Sequence, residues 1–91
     1  MITRDVVFRD RYGLHPRAAR RIQGTLDGFQ ASVSFEDLDG AGSPVDARSM
    51  LALISSGIRL GGNVRISADG SDEVAAIAAI ADLLEAGVDH P

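Results

Sequence analysis

Cysteine is absent from the 91 residues, which excludes a disulfide framework and any thiolate metal site. Histidine is scarce: His15 and His90 are the two, the second in the terminal Asp89-His90-Pro91. A histidine-rich metal centre therefore has no material to form from, and neither a metal nor another cofactor is expected. No apolar stretch approaches the ~20 residues that span a bilayer. No charged segment followed by an apolar leader precedes the first strand-like run, so the chain reads as cytoplasmic, without membrane insertion. Lysine is missing as well. All nine basic residues are arginines, set against thirteen acidic ones, for a net charge of −4. That balance argues against nucleic acid as a partner, because phosphate contacts dominate such affinity.

What is present fits a single domain over residues 1–91, with 88–91 expected as a loose tail after Gly87. A chain of this size buries only about 60–65% of its unfolded surface, so the core is thin and each large apolar residue matters. Ile2 to Arg9 reads as a strand, with Val6 and Phe8 on one face. Helical spacing of Ala18, Ala19, Ile22 and Leu26 predicts a helix from Pro16 to Leu26, stopped by Gly28. Phe29, Ala31, Val33 and Phe35 alternate with polar residues as a half-buried strand does, and Asp37 to Pro44 reads as a hairpin connection into a short strand at Val45. Ser49 offers a cap for a short helix from Met50 to about Ser55, ended near Gly57. After Gly61-Gly62, Val64, Ile66 and Ala68 point one way along a strand. Ser71 is placed to cap a last helix, with Val74, Ile77, Ala78, Ala81 and Leu84 as its buried stripe and Gly87 as its end. The order is β-α-β-β-α-β-α.

The chemistry concentrates where the first strand runs into Gly13-Leu14-His15-Pro16-Arg17-Ala18-Ala19. Pro16 suits the first helical position, which sets one imidazole at the mouth of a helix. A helix N-terminus has unpaired N–H groups and a partial positive charge, and so favours a phosphoryl group or another anion. Neutral imidazole is a nucleophile, and an appreciable fraction is neutral near pH 7. The basic residues cluster here too: Arg17, Arg20 and Arg21 share the helix and Arg48 stands just before the next one. Such a patch suits a phosphoryl group or an acidic partner. As a plain alternative, Arg20 and Arg21 solvate a helix face.

Gly13-Leu14-His15-x-Arg17 opening one helix, followed by Ala47-Arg48-Ser49-Met50-Leu51 opening another, resembles HPr, the histidine phosphocarrier family of the bacterial phosphoenolpyruvate-dependent phosphotransferase system. The resemblance spans nearly the whole chain. It implies an α+β open-faced sandwich, with a four-stranded, largely antiparallel sheet and three helices on one face. It implies a carrier rather than an enzyme: His15 accepts a phosphoryl group on Nδ1 from phosphorylated enzyme I and passes it to an enzyme IIA domain. Arg17 then meets the phosphoryl oxygens or partner carboxylates, and Arg20, Arg21, Arg48, Met50, Leu51 and Ile54 contribute to the docking surface. Ser49 matches the residue that HPr kinase/phosphorylase modifies in some bacteria, a regulatory role added to its service as a cap. A monomer is expected, since a carrier presents one face to successive partners.

The match departs from the family in one place. HPr sequences carry a small or polar residue after the histidine and a proline after the arginine, whereas here Pro16 follows His15 and Ala18 follows Arg17. Pro16 has no N–H, so the anion cradle loses one donor, worth about 1–3 kcal/mol with a charged acceptor, while the N–H groups of Arg17 and Ala18 remain. The interval from His15 to Ser49 is also longer than usual, and Asp39 to Ser43 accommodates the extra length. Leu53 is expected inside, with Met50, Leu51 and Ile54 at least partly outside; Tyr12 reads as packing. Three alternatives stay open at this point: a regulatory, nitrogen-type HPr paralogue; an acylphosphatase-like enzyme, with Arg9 and Arg11 imitating its phosphate loop; and a plain α/β binding module indifferent to His15.

Overall fold

The computed structural model describes residues 1–9, 16–40, 43–56, 58 and 62–86. Within them the elements run β1 (Ile2–Val7), α1 (Pro16–Leu26), β2 (Ser32–Asp37), β3 (Val45–Asp46), α2 (Met50–Ile54), β4 (Asn63–Asp69) and α3 (Glu73–Ala86). The strands form one sheet in the order β1-β4-β2-β3, and all three pairings are antiparallel. This is the open-faced α+β sandwich expected from the sequence.

Period-two patterning sets the register. Val64, Ile66 and Ala68 of β4 are buried, and so are their cross-strand partners Val6, Phe35 and Val33. A slip of one residue would turn that whole row out to water. Helix α3 packs over β1, β4 and β2, α2 lies against β3, and α1 packs on α2 and α3. Phe8, Ile22, Leu26, Phe35, Leu53, Ile66, Ile80 and Leu84 fill the space between sheet and helices. Each fully buried side chain of this size contributes about 1.5–3 kcal/mol.

The opposite face of the sheet is wet. Its middle row holds Arg65, whose Nε and Nη2 donate to the Asp5 carboxylate at 2.9 and 3.2 Å, with Glu36 on the other side of Arg65. A shallow groove of about 420 Å³ on this face is lined by Ser32, Ser34, Asp46, Ser67 and Asp69 among others.

Three boundaries differ from the sequence reading. Strand β1 ends at Val7: the Phe8 N–H still donates to Gly62 O, next to the Val7–Asn63 pair, but that of Arg9 leaves the sheet for Leu84 O of α3, both at 3.0 Å. Strand β2 starts at Ser32 and not at Phe29, since the Gln30 and Ala31 N–H groups donate to the Asp72 carboxylate, each at 2.8 Å, instead of to a strand. Ser71 is not the cap of the last helix. That helix begins at Glu73, Asp72 occupies the cap position, and the Glu73 carboxylate reaches back to accept from the Gly70 N–H at 3.2 Å.

The buried stripe of α3 is also corrected. It comprises Ala76, Ile77, Ile80, Ala81 and Leu84, while Val74 is 69% exposed and Ala78 is exposed. An almost continuously apolar helix offers several stripes of similar hydrophobicity, and packing on the sheet selects among them. Gly70 marks a tight joint beside this helix. A Cβ there would sit 2.7 Å from Ala31 Cα, so only glycine lets the two backbones approach.

Candidate functional site

His15 and Tyr12 lie outside the described residues, as do Gly13, Gly57, Gly61, Gly87 and the tail 88–91. What the structure describes is the ground on which His15 borders. Pro16 is the first residue of α1, as its fixed φ suits, and the first turn of α1 contains no acidic residue. Ala18, Ala19, Ile22 and Leu26 turn inward, which leaves Pro16, Arg17, Arg20 and Arg21 exposed. The positive end of this helix is therefore reinforced by arginines, with no carboxylate of its own to offset it.

Helix α2 stands beside α1. Its N-cap is Ser49, in an extended conformation, with Oγ accepting from the Ala52 N–H at 3.2 Å. Leu53 is buried, as expected, and Met50 is half-buried against the core. Leu51 and Ile54 face water, at 76% and 41% exposure. The fold thus sets an exposed apolar pair on the element next to the arginines of α1. An apolar centre with guanidinium groups nearby is the composition of a protein-docking surface.

Arg48 is exposed, and its side chain also has a structural task beside the surface contact expected of it. Its guanidinium donates to three backbone carbonyls: Leu26 from Nη1 at 3.2 Å, and Phe29 and Ala31 from Nη2 at 2.9 and 3.0 Å. Its own carbonyl accepts from Gln23 Nε2 at 2.8 Å, and its N–H donates to Asp46 Oδ1 at 2.9 Å. Neither Gln23 nor this use of Arg48 was legible in the sequence, since nothing in the local pattern reports which carbonyls fold back to meet a side chain.

Asp72 holds the same region from the other side. Its carboxyl lies below the usual carboxylate range, first because it accepts from the Gln30 N–H, against the opposing effect of burial, and further through the Ala31 N–H, its own N–H and the charge of Arg48. Among the described residues no group of three or more histidine, cysteine or acidic side chains is arranged to hold a metal. No described helix is long and apolar enough to cross a membrane.

The model of the family described as PTS HPr component phosphorylation site matches residues 2–86. The chain is 31% identical over 88 residues to the multiphosphoryl transfer protein of Escherichia coli O157:H7, an alignment covering 97% of this chain but 23% of that protein. It therefore spans less than a quarter of the length of that relative. It is 33% identical over 87 residues to the phosphocarrier protein NPr of Proteus mirabilis strain HI4320, covering 96% of this chain and 94% of NPr. The crystal structure of HPr-C-His from Thermoanaerobacter tengcongensis superposes with a TM-score of 0.84 at 31% identity, over 94% of this chain and 93% of that one. The chain belongs to the HPr family of the phosphotransferase system, whose members carry phosphoryl groups and are not themselves catalysts.

Proposed function

We propose that this chain carries a phosphoryl group on His15, receiving it from phosphorylated enzyme I and delivering it to enzyme IIA domains of the sugar branch. The observation that supports this most is the start of α1: His15 directly precedes Pro16 in the chain, and the helix that follows has a first turn free of acidic residues and an exposed row of arginines. In the transfer, imidazole Nδ1 forms a bond to phosphorus as the bond from phosphorus to the donor breaks. The new dianionic group then borders the helix end. Stabilisation there of about 0.3–1 kcal/mol suits a group that must be handed on rather than kept. Arg17 serves the phosphoryl oxygens, Arg20, Arg21, Met50, Leu51 and Ile54 serve docking, and Ser49 is open to regulatory phosphorylation by an HPr kinase/phosphorylase. The carrier works as a cytoplasmic monomer without metal or cofactor.

The test is intact mass after incubation with phosphoenolpyruvate and enzyme I. One phosphoryl adduct, acid-labile and alkali-stable, is expected on the wild type and none on His15→Ala. An adduct of equal yield on His15→Ala refutes the assignment. The second reading, a nitrogen-branch regulatory carrier, draws on the NPr relative and on the displaced proline. Faster charging by the nitrogen-type enzyme I than by the sugar-type enzyme I would select it.

A further inference from the structure

We infer that Arg48 is a positioning residue for partner docking: it seats α2 against α1, and so sets how the exposed Leu51 and Ile54 lie relative to the arginines of α1, without itself forming the contact surface. This rests on the phosphocarrier reading. Helix α2 has five residues and one buried side chain, Leu53. Isolated helices below about 12–15 residues are marginal in water, so an element this short takes its orientation from what holds its start. Arg48 is that start, immediately before the Ser49 cap, and its side chain, N–H and carbonyl are all bonded. Four of these bonds run to α1 or to the segment just after it.

The need on the α1 side is independent of α2. The last turn of α1 contains no basic residue, and Leu26 is its last residue. The Leu26 carbonyl already accepts from the Phe29 N–H at 2.9 Å, but a helix C-terminus still carries partial negative charge that a cation offsets. Arg48 supplies from another element the cation that this helix end lacks. A planar fork reaches separated carbonyls from two nitrogens, whereas the single ammonium of lysine places all its donors at one point. The joint is therefore specific to arginine.

The test uses the full chain with Arg48→Lys, Arg48→Met and Gln23→Met. Charging kinetics with enzyme I are read together with the backbone amide NMR shifts of residues 50–54. Positioning predicts that both Arg48 variants raise KM for charging about tenfold with kcat nearly unchanged, and that Gln23→Met raises it about threefold although no charge is lost. The α2 amide signals move in all three. Direct contact by Arg48 predicts the opposite pattern: Arg48→Lys restores KM, Gln23→Met leaves it unchanged, and the α2 signals stay at their wild-type positions. That pattern overturns the inference. If no enzyme I charges the wild type, the carrier reading itself fails. The NMR arm still decides on Arg48, because unmoved α2 signals in Arg48→Lys refute the positioning role alone.

Discussion

Helix α3 begins among its own acids, whereas α1 begins with Pro16 and Arg17 and has none in its first turn. At α3, Glu73 accepts from the Gly70 N–H and pairs with the Met1 ammonium at 3.4 Å, and Asp72 gathers the Gln30 and Ala31 N–H groups. The positive end of α3 thus lies beside two carboxylates, which offset its dipole while tying it to Met1 and to the segment before β2. The positive end of α1 is reinforced by arginine and preceded by the chain's one histidine outside the tail. The same backbone physics meets carboxylates at the start of one helix and arginine at the start of the other, which is where the proposed phosphoryl group would lie.

The largest expected effect is at the α1 end, where His15→Ala abolishes phosphorylation from phosphoenolpyruvate and enzyme I while far-UV circular dichroism stays the same. A retained adduct would erase the distinction between the two helix starts. At the α3 end the corresponding loss is of stability. Gly70→Ala forces a Cβ against the Ala31 backbone and costs about 1–3 kcal/mol, measured by urea denaturation, with phosphoryl transfer per folded molecule unaffected. A mutant as stable as wild type would show that the close approach relaxes freely.

Arg17→Glu sharpens the comparison by giving α1 the acid that α3 has. Two opposite outcomes are expected. The dipole contributes about 0.3–1 kcal/mol in favour of the helix, set against the loss of the contact Arg17 makes, and charging by enzyme I slows about tenfold, because an anion now sits at the proposed phosphoryl site. Stopped-flow transfer rates alongside thermal melts check both signs, and parallel changes in rate and stability would contradict it.

The smallest effect is pH dependence at α3. The Asp72 carboxyl is held below its usual range chiefly by the Gln30 N–H, as Asp5 is by Arg65 and Asp39 by the Asn63 backbone N–H. A carboxyl lowered on folding stabilises the native state above its ordinary value and loses that contribution as protons return, so stability falls below about pH 4. Asp72→Asn should flatten the decline in Tm between about pH 3 and 5 while lowering Tm at neutral pH. An acid limb as steep as that of the wild type would remove Asp72 from the cause.

Much of this molecule was legible in advance where local chemistry is one-sided. Pro16 at a helix start, Ser49 as a cap, and the alternation through Val64, Ile66 and Ala68 each carry a local reason that tertiary structure had no cause to override. Elsewhere the local signal was ambiguous. Phe29 and Ala31 continue the alternation of β2 yet lie outside it, because Asp72, forty-one residues from Ala31, accepts the N–H groups of Gln30 and Ala31 just before the strand. Val74 and Ala78 fit a helical stripe as well as Ala76 and Ile80 do, and periodicity cannot choose between faces when both are apolar. Arg48 is exposed as a surface cation should be, but a guanidinium next to a cap gives no local sign of the carbonyls it also meets.

The amino-acid order by itself determined the elements and their sequence along the chain, and it is the source of the phosphoryl chemistry proposed for His15 and Arg17, since these depend on neighbours within a turn or a strand. Only the tertiary structure decided which face of α3 is buried, where β2 begins and how α2 is joined to α1. Those outcomes depend on groups far apart in the chain that compete for the same backbone N–H and C=O groups, and only packing settles that competition.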